Sequence, residues 1–293
     1  MESIKNKLII GSAQFGLDYG VTNLDGRVSK DKVRSIIEKA RFHQIMNLDT
    51  ASSYGSSENV LGSLGIKDFN VITKLPSFDG VTSEFDFVCQ KIIKKSLSNL
   101  KVQMVDTVLL HRPEELLGSD GDSIFKALSG LKEHGYTKKI GISIYAPEIL
   151  NEIFSKYTFD VVQVPLNIFD RRIITSGWLK KLTDKNISVI ARSVFLQGIL
   201  LAKLNDLPMY FHNWASFFDN WVDFYYRNEL TALEASLQFV AQIPEINKII
   251  VGVENENQFF EILKALEKPR MIDSSYLTVN DLGLISPNYW QNK

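Results

Sequence analysis

Four side chains that could act together on a carbonyl group lie in the first 111 residues: Asp49, Tyr54, Lys74 and His111. A carbonyl that accepts hydride develops negative charge on its oxygen, and that oxygen then needs a proton. The pKa of tyrosine in water is about 10, and a nearby ammonium favours the phenolate. Lys74 is therefore expected to lower the pKa of Tyr54 and make it a usable general acid. Asp49 would pair with Lys74, and His111 would donate a hydrogen bond that orients the carbonyl oxygen.

No single one of these residues is specific evidence for this chemistry. An Asp at the end of a strand is often a helix cap, a Tyr in a turn is usually a surface residue, and His111 has an equally good interpretation as a hydrogen-bonded core histidine. The prediction depends on the four residues meeting at one place.

The elements that would position them follow from the hydrophobic pattern, since short β-rich apolar runs alternate with amphipathic runs of helical length. The predicted strands cover residues 8–13, 46–50, 71–75, 105–111, 140–144, 161–166, 189–194 and 249–253. The predicted helices cover residues 29–44, 57–64, 83–101, 122–135, 147–157, 176–186, 230–243 and 255–267. About eight β/α units without a composition break predict an α/β fold, a TIM (β/α)8 barrel, as a single domain over residues 1–293. An open doubly wound sheet is the main alternative, but the segment after the first strand lacks its glycine-rich fingerprint.

A barrel of this kind predicts where the four side chains meet, because TIM-barrel active sites lie at the carboxyl ends of the strands. Asp49, Lys74 and His111 lie at or near the ends of the second, third and fourth predicted strands, and Tyr54 lies in the loop after the second. A long aromatic segment, about residues 198–229, follows the seventh strand. It is expected either to form a wall of the substrate pocket or to cover the barrel rim or a dimer contact.

Composition and charge exclude several classes of function. The 293 residues include 33 Lys and Arg and 34 Asp and Glu, a formal net charge of -1, which gives no reason to expect nucleic acid or an anionic membrane as partner. No apolar run approaches the roughly 20 residues that a membrane span needs, and no signal peptide is recognised, so a cytoplasmic location is expected. The one cysteine, Cys89, is expected to pack on a helix face, and no metal site is predicted.

The motifs that carry these residues resemble those of the aldo-keto reductase family, in the style of its bacterial stand-alone members. The matching segments run in the family's order through nearly the whole chain: 49–58 (DTASSYGSSE), 72–74 (ITK), 109–113 (LLHRP), 141–143 (GIS), 162–167 (VQVPLN), 193–200 (SVFLQGIL), 251–253 (VGV) and 287–290 (PNYW). The resemblance implies an NAD(P)H-dependent oxidoreductase that reduces an aldehyde or ketone, with hydride from the nicotinamide and a proton from Tyr54.

The resemblance also implies roles for individual residues. Asp49 would contact the nicotinamide ribose, Ser143 and Gln163 would hold the nicotinamide carboxamide, and the backbone around 195–198 would approach the pyrophosphate. Gln163 in an apolar strand could also be a hydrogen-bonded core residue. The implied cofactor-binding set is Ser143, Gln163, Arg192, Ser193, Phe195, Gly198, Gly252, Glu254 and Gln258. A small carbonyl compound is the expected partner, and the chain is expected to be a monomer or a weak homodimer.

Two positions near the expected nicotinamide site depart from the family pattern. Ile144 stands where an Asn usually follows the carboxamide-binding serine. Arg192 stands where an aromatic residue often stacks on the nicotinamide, although a guanidinium plane can also stack on a ring, or Arg192 could pair with a carboxylate near the rim.

The third departure concerns the choice between NADP(H) and NAD(H). Glu254 and Ile262 stand where many members have a basic residue and an Asn near the adenosine. A carboxylate would repel a 2′-phosphate and could accept hydrogen bonds from a free 2′-hydroxyl. Family frequency nevertheless favours NADP(H) slightly, with Lys203 or Lys248 as candidates to reach the phosphate, and NAD(H) stays possible.

Two other functions remain open, because a fold does not fix a function. The first is a cofactor-binding accessory or regulatory protein on the same scaffold, without turnover. The second is a Schiff-base lyase that uses Lys74 as its amine.

Overall fold

Strands form at all eight predicted positions, where Ile and Val are concentrated. The computed structural model describes residues 4–267, 270 and 273–290. The strands are β1 (Leu8–Gly11), β2 (Asn47–Asp49), β3 (Asn70–Leu75), β4 (Val105–Leu110), β5 (Thr137–Ser143), β6 (Val161–Pro165), β7 (Ser188–Arg192) and β8 (Lys248–Gly252). Each pairs in parallel with the next, and β8 pairs with β1, which closes the barrel. The predicted (β/α)8 barrel is confirmed, and the open sheet is excluded.

Helices form at the eight predicted positions, with ends one to three residues inside the predicted ones in most cases. Four further α-helices of the described residues were not predicted, over residues 13–16, 172–175, 215–227 and 282–285. The α-helices are α1 (Ala13–Gly16), α2 (Lys30–Phe42), α3 (Ser57–Ser63), α4 (Phe85–Leu100), α5 (Gly121–Glu133), α6 (Leu150–Lys156), α7 (Arg172–Thr175), α8 (Trp178–Asp184), α9 (Ala215–Arg227), α10 (Ala232–Ala241), α11 (Glu256–Ala265) and α12 (Leu282–Ile285). The segment 147–157 begins as a 3-10 turn before α6. None of the helices in the described part of the chain is both long and apolar enough to cross a membrane.

Helix α2 shows how the sequence specifies these outer elements. Ser29 caps it by accepting a hydrogen bond from the backbone N–H of Lys32, which satisfies one of the free donors of the first turn. The apolar stripe Val33, Ile36, Ile37 and Ala40 is buried in the hydrophobic core, as the spacing of three and four residues requires.

The inside of the barrel is a packed core and not a channel. A cluster of five buried side chains from five strands fills it: Ile9, Ile72, Leu109, Val161 and Ile190. Layers of branched side chains are usual inside TIM barrels. This core supports the polar side chains that lie above it, at the carboxyl ends of the strands.

The aromatic part of the segment after β7, residues 210–226, covers the barrel, whereas Gly198 and Leu201 at the start of the segment line the main cleft. The aromatic part folds into a 3-10 turn, Met209–Trp214, followed by α9. Trp221 is buried against Phe169, and Trp214 donates a hydrogen bond to Asp281. In the described part of the chain, no residue from 210–226 lines the main cleft, so the covering interpretation is the one that the structure supports.

Candidate active site

The centre of the site is a buried ion pair between β2 and β3. Asp49 is the last residue of β2, and Lys74 is the penultimate residue of β3. The Lys74 ammonium lies 2.5 Å from Asp49 Oδ1 and also donates to the carbonyl of Thr50 at 2.9 Å. Only 1% of the Lys74 side chain is exposed. Burial lowers the pKa of Lys74, and the Asp49 carboxylate opposes that shift. Each charge compensates the other, which offsets the cost of burying them.

The second oxygen of Asp49 continues a hydrogen-bonded chain across the barrel mouth. Gln163 on β6 donates its amide N–H to Asp49 Oδ2 at 2.7 Å, and Ser143 on β5 donates its hydroxyl to Gln163 Oε1 at 3.2 Å. The buried amide of Gln163 is thus hydrogen-bonded, as the core interpretation required, but Gln163 and Ser143 also line the open cleft. Side chains from four strands are linked in this way.

Tyr54 is placed by a turn that is held against α1. Gly55 has a φ of +52°, and a Cβ there would collide with the carbonyl of Gly16, so only glycine fits this close approach. Ser57, at the start of α3, donates its hydroxyl to the carbonyl and hydroxyl oxygens of Ser12. These contacts fix the backbone on both sides of the phenol.

Tyr54 and His111 lie beside each other above the ion pair. Their ring centroids are 5.9 Å apart in an edge-to-face arrangement, and the Lys74 ammonium lies 5.0 Å from the centroid of the Tyr54 ring. His111 directly follows β4, and its Nδ1 lies 3.3 Å from the hydroxyl of Ser53. The structure therefore brings together Asp49, Tyr54, Lys74 and His111, the four residues from which the sequence analysis started.

The electrostatic effect of Lys74 on Tyr54 differs from the expectation. Burial raises the pKa of Tyr54 well above its usual value, the Asp49 carboxylate raises it further, and the Arg192 guanidinium lowers it. Lys74 is not among the charges that shift the pKa of Tyr54, and Arg192 is the cation that lowers it. The Asp49–Lys74 pair forms as expected, but the burial of the phenol and the effect of the Asp49 carboxylate on it were not part of the prediction.

His111 is held in its neutral form. Burial, together with the nearby cations Lys74, Arg192 and Arg112, lowers the pKa of His111 to about 3. A neutral imidazole carries one N–H, so at physiological pH His111 can donate one hydrogen bond and does not act as a cation.

A cleft with a volume of about 610 Å³ runs from this centre along the strand ends. All the predicted cofactor-binding residues line it: Ser143, Gln163, Arg192, Ser193, Phe195, Gly198, Gly252, Glu254 and Gln258. Asp49, Tyr54 and His111 line it too, whereas Lys74 lies beneath Asp49.

The segment after β7 approaches the cleft with unusual backbone conformations. Ser193, Leu196, Gln197 and Gly198 all have positive φ, with +93° at Gly198. A Cβ at 198 would overlap with the hydroxyl of Thr22. The backbone N–H of Val21 donates to the carbonyl of Gln197 at 3.1 Å, so the loop after β1 is joined to the loop after β7 across the cleft. Strain of this kind is concentrated at ligand-binding sites.

The far end of the cleft is acidic. Glu254 accepts hydrogen bonds from the side-chain amides of Gln14 and Gln258, at 3.3 and 3.1 Å, and Glu261 lines the same end. Lys248 begins β8 at the opposite end of the barrel, where it donates to the carbonyl of Asn6. The expectation that Lys248 could reach a cofactor phosphate here is therefore wrong, and Lys203 is not part of the cleft lining either.

Several residues that line the cleft had no predicted role, and Gln14, Tyr19 and Tyr145 are three of them. Gln14 lies just after β1 and Tyr145 just after β5, so their positions after strand ends were a usable signal. Tyr145 lies beneath the Arg192 guanidinium, whose central carbon is 4.6 Å from the centroid of its ring.

Comparisons with known proteins agree with the geometry. A model described as the Aldo/keto reductase family matches residues 7–282. The chain is 27% identical over 264 residues to an uncharacterized oxidoreductase, YqkF, of Bacillus subtilis (strain 168), covering 83% of this chain and 85% of that protein. It is 26% identical over 206 residues to 6-dehydroglucose reductase of Agrobacterium fabrum, covering 63% and 69%. The solved structure of aldo-keto reductase AKR11C1 from Bacillus halodurans (holo form) aligns with a TM-score of 0.69 and 19% identity over 91% of this chain and 88% of that one, which shows likeness of fold.

Proposed function

Since this chain belongs to the aldo/keto reductase family, we propose that it is a nicotinamide-dependent reductase of an aldehyde or ketone in which Tyr54 donates the proton. One observation carries the proposal. A phenol, a neutral imidazole and a paired Lys and Asp meet at the carboxyl ends of adjacent strands, in a cleft of about 610 Å³ that continues along the strand ends.

The residues of the cleft fit a nicotinamide dinucleotide. Ser143 and Gln163 offer a hydroxyl and an amide beside Asp49, which suits a carboxamide and a ribose. The segment 193–198 offers backbone close to the cleft, where Gly198 leaves no room for a side chain. When bound, the nicotinamide would supply the hydride.

The chain's own residues would then manage the oxygen of the substrate. His111, neutral and with one N–H, would donate a hydrogen bond that orients the carbonyl and stabilises the charge that develops on its oxygen. Tyr54 keeps its proton until it is needed because burial raises its pKa. An alkoxide is a stronger base than a phenolate, so Tyr54 can still protonate it. The resulting phenolate would lie beside Lys74 and Arg192, both cationic.

The acidic end of the cleft supports NAD(H) as the preferred cofactor, in place of the NADP(H) that family frequency suggests. Glu254 and Glu261 lie there, and Arg192 is the one Lys or Arg among the described residues that line the cleft. A 2′-phosphate placed at this end would face two carboxylates and no cation, whereas a 2′-hydroxyl could donate to Glu254.

Binding and turnover together test the proposal. Wild-type protein titrated with NADH and NADPH, followed by nicotinamide fluorescence, is expected to bind both, NADH more tightly. With a general carbonyl probe such as 4-nitrobenzaldehyde, Tyr54→Phe is expected to lower kcat by about 10²–10⁴-fold, the usual contribution of general acid catalysis, while the Kd for NADH stays within a factor of about three. The matched control is Tyr226→Phe, an exposed tyrosine outside the cleft.

Other outcomes would contradict the proposal in distinct ways. Equal turnover in Tyr54→Phe would remove the assigned proton donor. Tight cofactor binding without turnover on a panel of aldehydes and ketones would favour the accessory protein. The lyase has little support, because Lys74 is buried and paired; borohydride trapping of a carbonyl compound on Lys74 would reverse that judgement.

A further inference from the structure

Arg192 is a positive charge in the cleft that forms no ion pair with a carboxylate of the described residues. Its guanidinium donates to the carbonyl of Ile144 at 2.7 Å and to the hydroxyl of Ser193 at 3.0 Å. It lies over the ring of Tyr145. Both oxygen partners are neutral, and three of its five N–H groups remain available. The expectation that Arg192 could pair with a carboxylate at the rim is not met among the ion pairs of the described residues.

Lys74, a second cation near the reacting centre, contributes much less net charge than Arg192. Lys74 lies 2.5 Å from Asp49 and is shielded from the cleft, with 1% of its side chain exposed. At a distance, the pair acts as a dipole, whereas Arg192 acts as a full positive charge.

The field of Arg192 reaches the groups around the reaction centre. Arg192 is among the charges that lower the pKa of His111, and it opposes the rise in the pKa of Tyr54. Arg192 ends β7, in register with Pro165 on β6, and Ser143 on β5 is in register with Gln163 on β6. A ring held by Ser143 and Gln163 would therefore lie within one or two strands of the guanidinium.

We propose that Arg192 makes this cleft bind the reduced, uncharged nicotinamide ring more tightly than the oxidised, cationic ring. This inference rests on the proposed function, which places the ring beside Ser143 and Gln163. The two forms of the dinucleotide have nearly the same shape but differ by one positive charge on the ring. A cation near the ring therefore favours the reduced form, whatever the angle between the ring and the guanidinium. Two unit charges about 6 Å apart in a partly solvated cleft change the ratio of the two dissociation constants by about 10–100-fold.

Calorimetric Kd values for NADH, NAD⁺, NADPH and NADP⁺ test this without relying on turnover. We expect wild type to bind the reduced form of its preferred pair at least about tenfold more tightly than the oxidised form. Arg192→Met keeps an unbranched side chain against Tyr145 but removes the charge, and it should lower that ratio by about tenfold or more. Arg192→Lys keeps the charge and should retain most of the ratio. Arg34→Met, on the exposed face of α2, is the control for loss of one charge far from the cleft.

Each outcome decides something different. An unchanged ratio in Arg192→Met, or an equal fall in Arg192→Met and Arg192→Lys, would overturn the inference while leaving the proposed function intact. If wild type binds none of the four nucleotides, the proposed function fails and the inference fails with it. Arg192→Gln is a second neutral variant in case Arg192→Met does not fold, as judged by circular dichroism.

Discussion

The buried pair of Asp49 and Lys74 makes a sharp prediction for stability. Asp49→Asn changes one atom and removes one charge. In wild type, the Asp49 carboxylate accepts hydrogen bonds from the ammonium of Lys74 at 2.5 Å and from the side-chain amide of Gln163 at 2.7 Å. After the substitution, the ammonium of Lys74 would keep its hydrogen bond to the carbonyl of Thr50 but would lose the negative charge that compensates it. Only 1% of the Lys74 side chain is exposed, so water cannot replace that charge.

The expected cost is large because one ion of a buried pair is left uncompensated. Such losses are about 3–5 kcal/mol, and Lys74→Met should cost a similar amount by leaving Asp49 buried with Gln163 as its remaining partner. The double variant Asp49→Asn/Lys74→Met contains no uncompensated charge at this place. We therefore expect it to be more stable than the sum of the single changes predicts, by at least about 2 kcal/mol.

Urea unfolding followed by far-UV circular dichroism measures all four proteins. A pH series gives an independent check. Burial lowers the pKa of Lys74, and Asp49 opposes that shift, so in Asp49→Asn the folded-state pKa falls further below the unfolded value. Between those two values the unfolded state binds the extra proton, and stability rises with pH. Asp49→Asn should thus recover stability relative to wild type as the pH rises toward the ordinary lysine pKa of 10.5. Single variants that each cost under about 1 kcal/mol, or strictly additive effects, would refute the reasoning.

Three further predictions concern glycine geometry, the pKa of His111 and the thiol of Cys89. Gly198→Ala should lower the free energy of unfolding by at least about 2 kcal/mol, because its Cβ would overlap with Thr22. Gly135→Ala, also at positive φ but with open space around it, should lower it by about 1 kcal/mol; urea unfolding compares the two variants, and equal costs would contradict the overlap. The pKa of His111 is lowered from its usual 6.5 to about 3 in the folded state. Between those values the free energy of unfolding falls as the pH falls, by about 2 kcal/mol from pH 7.5 to pH 4.5. His111→Asn should remove much of this fall, and an equal fall in that variant would show that another group causes it. Burial raises the pKa of Cys89 to about 12, so iodoacetamide at pH 8 should label Cys89 only as the protein unfolds in urea, and labelling of the native protein, read by mass spectrometry, would disprove this.

The barrel could be predicted from the sequence because its strands carry their own signal. Runs such as 105–110 and 161–165 are short, apolar and β-rich, and their number and spacing determine the architecture. The ends of the strands were less predictable. Strand β1 was predicted to continue to Ala13 but ends at Gly11, after which the backbone turns into α1.

Helix α9 was missed for a physical reason. Its many aromatic residues suggested an irregular rim or pocket wall, yet Phe218, Trp221 and Phe224 recur every three residues and are all buried. That spacing is a helical signal. The spacing of these residues predicts the helix, whereas the aromatic composition alone does not.

The candidate site was predictable in its membership but not in its electrostatics. Residues at the ends of strands converge in any such barrel, so the grouping of Asp49, Tyr54 and His111 followed from the fold. The pKa of Tyr54 depends on its burial and on the charge of Asp49, and neither effect on the phenol could be judged without the folded geometry. The contact of Asp49 with Gln163, 114 residues later, depends on side-chain conformations that no local pattern encodes.

The link from Val21 to Gln197 has a consequence for the construction of chimeras. Loops at the mouth of a barrel are commonly treated as modules that can be exchanged one at a time to alter specificity. Here the loop after β1 and the loop after β7 share a backbone hydrogen bond, and Thr22 occupies the space that a side chain at 198 would need. Replacement of either loop alone would break this hydrogen bond or place a side chain against Thr22, so the two loops must be exchanged together.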